Sequence, residues 1–257
     1  MKSVNHPQLD KKLVLMFDEA AHEYRIESGN GYEYADPVPS VTQFVGHYMP
    51  KFDSDKIAAK CATRRNVEKE IVLDEWRQAA DFGTRVHENQ EAMMRGKDIV
   101  HQPRNEHEHK IMSSGWQALN EIGWHGWMPL EAEKMVFSHV LGLAGTIDAL
   151  FTRGRELMFC DWKTNKSINR RNLYGDRALA PIGHLDDCEM TKYALQLNLY
   201  ERIMKHEAYI PKAQTTRMNL VHLRPDGFEI IPVPKMVEAD LLLLDYKCFN
   251  WFHTVPF

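Results

Sequence analysis

Three side chains define the chemistry to consider first. Gly145-Thr-Ile-Asp148 ends in an aspartate, and Asp161-Trp-Lys163-Thr164 begins thirteen residues after it. Both fall at the ends of expected strands, and antiparallel pairing of those strands would bring Asp148 and Asp161 close in space. Side chains on a strand repeat every two residues, so Asp161 and Lys163 share a face. Two carboxylates and a lysine converging at strand ends suit a hard cation. Mg2+ or Mn2+ prefers oxygen ligands, and Mg2+ keeps several waters and shares substrate phosphate oxygens. Such an ion acidifies bound water and neutralises charge on a phosphodiester, while the lysine orients the water, helps deprotonate it or balances developing charge. Without a metal, burying two aspartates against one lysine would be costly. An isolated Asp-x-Lys triplet is common as a surface ion pair, so the combination carries the weight.

Other residues read two ways. His87 and Glu91 are four apart and stack on one helix face; His87 is a ligand or phosphate contact, or a histidine packed on the sheet edge. Glu91 suits a structural role, orienting His87. Glu133 either completes a metal site or is an exposed strand residue. Gln196 and Tyr200 also share a helix face; there Gln196 would hold Lys163 or a phosphate, with Tyr200 near the nucleic acid or in the core. Lys166, Arg170 and Arg171 follow the Asp161–Lys163 strand and either meet a phosphate backbone or are simply solvated, as are Arg64 and Arg65. His101, His107 and His109 beside Glu106 and Glu108 read as a solvated helix start, with a second metal site the alternative. Trp116, Trp124 and Trp127 read as packing, with base stacking the alternative.

The elements that must position these groups come next. His22–Glu27, a turn at Ser28-Gly-Asn-Gly31 and Tyr32-Glu-Tyr34 read as a β-hairpin. Ser40-Val-Thr-Gln43 has capping-box spacing, so a helix starts at Ser40 and ends before Pro50. Asp53–Gly96 reads as helical with a break near Gly83, and Asn105–Ile122 as another helix closed by Gly123. Strands are expected at Glu131–His139, Leu141–Phe151 and Glu156–Cys160, with Cys160 in the core. A polar segment, Asn165–Cys188, leads to a helix at Met190–His206. Strands at Met218–Leu223 and Phe228–Val233 pair around Pro225-Asp-Gly227, and a closing helix spans Lys235–Phe249. The centre is α/β, with a helical elaboration before it.

Composition narrows the class. The chain has 257 residues, 44% hydrophobic and 26% charged, which suits a folded globular protein. Thirty-two basic against 36 acidic residues give −4, which argues against coating nucleic acid by bulk charge but permits a local basic patch. The four cysteines, Cys61, Cys160, Cys188 and Cys248, show no CxxC spacing, so neither a zinc ribbon nor a disulfide framework is indicated. The longest aliphatic run, Leu241–Leu244, is too short to span a bilayer, and the first residues lack a signal-peptide pattern. No membrane partner is expected, and a reducing compartment, the cytoplasm, is. No Walker-type phosphate loop is present.

In order along the chain, Gly83-Thr-Arg-Val-His87, Glu133, Gly145-Thr-Ile-Asp148, Asp161-Trp-Lys163-Thr164 and Tyr193-x-x-Gln196-Leu-x-Leu-Tyr200 resemble the motifs of PD-(D/E)XK nucleases. The resembling branch is the RecB-type and phage-exonuclease one, including mitochondrial genome-maintenance-type exonucleases. The resemblance spans Phe82–Tyr200, with Pro181–Cys188 and the N-terminal hairpin leading into Pro39-Ser-Val-Thr42 also similar to phage-type members. It implies a three-layer α/β core, αβββαβ with a mixed sheet, in a single domain over residues 1–257, with hairpin and helical elaboration in 1–80 and nuclease core in 81–257. It implies a metal-dependent DNA exonuclease of phage or bacterial recombination, repair or replication, working in the host cytoplasm if phage-encoded. Alternatives are a structure-specific or nicking endonuclease and a nuclease-dead DNA-binding scaffold. The implied catalytic set is Asp148, Asp161, Lys163, Gln196 and Tyr200. Mg2+ or Mn2+ would bind Asp148, Asp161, the Trp162 carbonyl, His87 and Glu133, and DNA would meet Lys166, Arg170 and Arg171. A recombination or single-strand-binding protein is the partner such enzymes imply. Relatives with an iron–sulfur cluster carry three close cysteines downstream; here only Cys248 follows Tyr200, so no cluster is expected.

Overall fold

The computed structural model describes residues 1–18, 21, 23–28 and 37–251. Strands β1 (Lys2–His6), β2 (Asp10–Asp18) and β3 (Glu23–Ser28) form an antiparallel sheet in that order. The first arm of the expected hairpin is β3, which pairs with β2 from Leu13↔Ser28 to Asp18↔Glu23 and also bridges Val38 antiparallel through Tyr24. The second arm, Tyr32–Tyr34, lies outside the described residues. Leu15, Tyr24 and Ile26 bury this small sheet against Met135 and Phe137.

Helix α1 (Val41–His47) starts at the expected capping box: Ser40 Oγ accepts from Gln43 N–H, and Gln43 Oε1 accepts from Ser40 N–H. The long helical stretch divides into α2 (Ser54–Arg65) and α3 (Lys69–Met94) at Asn66, whose φ is 53°. The break expected near Gly83 does not occur. Asparagine tolerates the left-handed conformation through its short polar side chain, so it can stop a helix where glycine need not. Gly83 instead lies mid-helix, where an added Cβ would sit 3.4 Å from Thr164 Oγ1. Residues 80 and 81 are both within α3.

Helix α4 (Glu106–Trp124), capped by Asn105, passes through Gly123 and turns at Gly126, φ 79°. Then come β4 (Met128–Ser138), β5 (Leu143–Arg153), β6 (Glu156–Lys163), α5 (Glu189–His206), β7 (Thr215–Arg224), β8 (Gly227–Pro232) and α6 (Glu238–Trp251). The five strands form one mixed sheet in the order β4-β5-β6-β7-β8, with β6 and β7 parallel across α5 and the other neighbours antiparallel. One face, with Val136, Phe159 and Leu220, packs on α1, α5 and α6. The other, with Phe151, Met158, Trp162 and Val221, packs on α3 and α4. The near-continuous apolar run of β6 follows from burial on both faces. Among the described residues no helix is long and apolar enough to cross a membrane.

Candidate metal and catalytic site

The site sits where β5 and β6 part. Their ladder runs from Arg153↔Glu156 to Ala149↔Cys160, and the next step would pair Asp148 with Asp161. There the Asp148 side chain takes over from the ladder: its Oδ2 accepts Trp162 N–H at 2.9 Å. On the other edge of β5, Ala132↔Ala149 and Lys134↔Ile147 flank Glu133, which therefore lies opposite Asp148. Glu133 has φ 52°, a left-handed conformation that a non-glycine residue holds only when its surroundings over-determine it.

Helix α3 brings His87 across this gap. His87 Nε2 lies 2.9 Å from Trp162 O, and Nδ1 lies 3.4 Å from Asp148 Oδ2. A carbonyl only accepts, so Nε2 carries the hydrogen. In a neutral ring the lone pair of Nδ1 then faces a carboxylate oxygen, an arrangement completed by a proton or a cation. Metal-bound histidines characteristically give their other N–H to a carbonyl or carboxylate in this way. His87, Glu133 and Asp148 offer ligand atoms that all lie within 4.8 Å of one another. Burial, Asp148 and Glu91 push the Glu133 carboxyl up to about 8. A divalent cation would offset that repulsion; the two carboxylates suit Mg2+ or Mn2+, and the imidazole is a donor for a transition ion such as Mn2+ rather than for Mg2+.

Asp161 is 3% exposed. Burial lifts its carboxyl to about 6 against the pull of Lys163, with Asp148 adding to the rise. Lys163 Nζ is 2.7 Å from Asp161 Oδ2, yet the angles are not those of an aligned hydrogen bond, so this buried oxygen lacks an aligned donor. Burial opposes the charge on Lys163, but Asp161 and Asp148 outweigh it and hold the ammonium above the ordinary lysine value. The same ammonium rests 4.2 Å from the centre of the Tyr193 ring.

A cleft of about 670 Å³ opens onto Asp148, Glu133 and His87. Its walls include Gly83, Glu88 and Glu91 from α3, Thr146 from β5, Gln196 and Tyr200 from α5, and Lys2, Phe17 and Tyr24 from the N-terminal sheet. Tyr24 OH and Thr146 Oγ1 share a hydrogen bond of 2.9 Å that seats this sheet on the cleft rim.

The structure decides between some of the paired readings and changes the partners expected for others. Lys163 is covered by Tyr193; Gln196 points instead to Tyr200 OH, donating at 3.3 Å. Tyr200 is 3% exposed and packs against Gly145, so it is mainly a core aromatic with one edge on the cleft. Glu91 pairs with Arg95 at 2.5 Å, and His87 is oriented by Trp162 O and Asp148. The Trp162 carbonyl is engaged by His87, while its indole is buried between the sheet and α3. Lys166 and Arg171 are exposed, Lys166 on the rim of a second cavity between α3 and α4, and Arg170 pairs with Glu229 at 3.0 Å. Trp127 is buried under Arg153, whereas Trp116 and Trp124 are exposed. Arg65 pairs with Glu75.

Sequence reasoning missed Tyr193 over the lysine and the N-terminal wall of the cleft. The run Leu13-Val-Leu-Met-Phe17 was an available strand signal for the wall. A second histidine–carboxylate group, His6, His139 and Glu207, was also missed. Here His6 Nδ1 accepts the N–H of Gln8 and of Leu9, so Nε2 carries the hydrogen and donates to Glu207 Oε2 at 2.9 Å. That tautomer suits a buried latch better than a metal ligand.

No protein-family model and no curated protein matches the chain. A solved structure described as "Crystal structure of SSO0001" aligns over 67% of this chain and 76% of that one, at 12% identity and a TM-score of 0.26. At that score the likeness carries no weight for fold or function.

Proposed function

We propose that the chain is a divalent-metal-dependent deoxyribonuclease with a PD-(D/E)XK core, a DNA exonuclease of phage or bacterial recombination, repair or replication. One observation carries the reading: His87, Glu133 and Asp148 face one point at the gap between β5 and β6, with Asp161 and Lys163 beside it. His87, Glu133, Asp148 and Asp161 would hold Mg2+ or Mn2+, which when bound supplies an acidified water and neutralises phosphate charge. The protein's own part is positioning. Trp162 N–H fixes one oxygen of Asp148, and Trp162 O fixes the ring of His87. Asp161 and Tyr193 hold a charged Lys163 where it can orient water or balance the charge of the phosphoryl transition state.

Incubation with Mg2+ on linear, nicked and covalently closed circular DNA tests the reading. Degradation of linear DNA with closed circles left intact is expected. Cutting of closed circles would replace exonuclease with endonuclease, and binding without any cutting would leave a scaffold.

A further inference from the structure

The connection from β6 to α5 is firmly built. His222 Nε2 lies 2.6 Å from Asn165 O, Met190 N–H donates to Asn169 O at 3.1 Å, and Ala178 and Ile182 are buried. At its outer end Asn172 folds a tight turn. Asn172 Oδ1 accepts the N–H of Tyr174 at 2.8 Å and of Asp176 at 3.2 Å. Asn172 Nδ2 donates to Asp187 O at 2.8 Å, and Asn172 N–H donates to Asp186 Oδ2 at 3.1 Å. Gly175, φ 82°, completes the turn.

Held on this turn, Leu173 and Tyr174 are each 90% exposed, the most exposed large apolar side chains among the described residues. Single apolar residues scattered on a surface are ordinary. Two adjacent ones on a turn fixed by four side-chain and backbone hydrogen bonds are presented to something. Arg171, two residues earlier, is exposed and forms no ion pair among the described residues, nor does Lys166 further back. The whole connection springs from the strand end that carries Lys163.

We propose that the Leu173–Tyr174 tip stacks on unpaired bases of a DNA strand, with Arg171 on a neighbouring phosphate. The inference rests on the nuclease reading and deepens it: the preferred substrate is single-stranded or frayed. Every base offers a π face, so stacking tolerates any sequence, and an exposed cation three residues before an exposed aromatic suits a polyanion whose bases are splayed. In closed duplex those faces are already stacked on one another.

The test is fluorescence anisotropy of the full chain, in chelator to prevent cutting, on an intact single strand and on an abasic strand of equal length. The Leu173→Ala/Tyr174→Ala variant should bind the intact strand roughly ten-fold or more weakly than the parent, the scale of one lost base stack. Tyr174→Phe should bind nearly as the parent does. On the abasic strand the parent and the double variant should bind alike. Equal losses on both strands, or no loss on either, would overturn the proposal. So would unchanged affinity with a shift from dimer to monomer in sedimentation, which would make the tip a contact between copies. A parallel Mg2+ digestion separates the two claims. A parent that cuts DNA while the tip variants bind normally sinks only the tip. A parent whose single-strand binding depends on the tip but that never cuts sinks the nuclease.

Discussion

On the proposed nuclease reading, Lys163 serves chemistry and His87 metal binding. Lys163 touches Asp161 but belongs to no ligand group, so Lys163→Ala should keep Mn2+ and DNA affinity while turnover falls by at least ~10²-fold, the usual scale for a lost stabiliser or base. Steady-state kinetics beside calorimetric Mn2+ titration checks this. His87 is half-exposed, so His87→Ala should weaken metal binding and turnover with little change in melting temperature. A large stability loss with normal specific activity would make it a packing residue. The Asp148–Asp161–Lys163 convergence was legible because it needs only strand alternation and one hairpin. The choice between Tyr193 and Gln196 was not. Both lie on the helix stripe that includes Tyr200, and only the docking of α5 decides which ring covers the lysine.

The strand β5 and the helix α5 fit through one glycine. A Cβ at Gly145 would lie 2.7 Å from Tyr200 Cε1, too close for any real contact. Gly145→Ala should therefore destabilise the fold by ~1–3 kcal/mol, the cost of overpacking, and Tyr200→Leu in the same chain should recover part of it. Denaturant melts of the two single variants and the double variant give the coupling; purely additive losses would contradict the packing account. The small residue beginning Gly145-Thr-Ile-Asp148 thus has a steric reason visible only once α5 is docked. Helix boundaries were read well where a side chain caps them, as at Ser40 and Asn105. Glycine stops α3 as read at Gly96, φ 67°, but not at Gly83, which serves close approach to Thr164 while Asn66 makes the turn between α2 and α3.

Across the molecule, buried carboxylates tie the layers together. Glu207 accepts from Ser138 and His6 and so fastens β1 to the main sheet. Its long-range pairing, 201 residues apart in sequence for His6, is why the N-terminal sheet escaped a reading based on local pattern. Glu201, on α5, meets Lys205 at 2.7 Å, Lys235 at 2.8 Å and Thr216. Burial would raise its carboxyl, but these partners outweigh it and hold it down at about 2. A depressed carboxyl contributes stability above its unfolded value, lost as pH falls towards the folded one. Stability should thus decline between roughly pH 4.5 and 2, and Glu201→Gln should flatten that part of a pH series of melts. In the proposed mechanism a divalent cation and Lys163 act together at the gap between β5 and β6. The most direct test is Mn2+ calorimetry beside digestion of end-labelled linear DNA, for the parent, Asp148→Asn and Lys163→Ala. The parent should bind and cut, Asp148→Asn should do neither well, and Lys163→Ala should bind without cutting. Cutting by Lys163→Ala at the parent rate, or full parent activity in excess chelator, would contradict the mechanism.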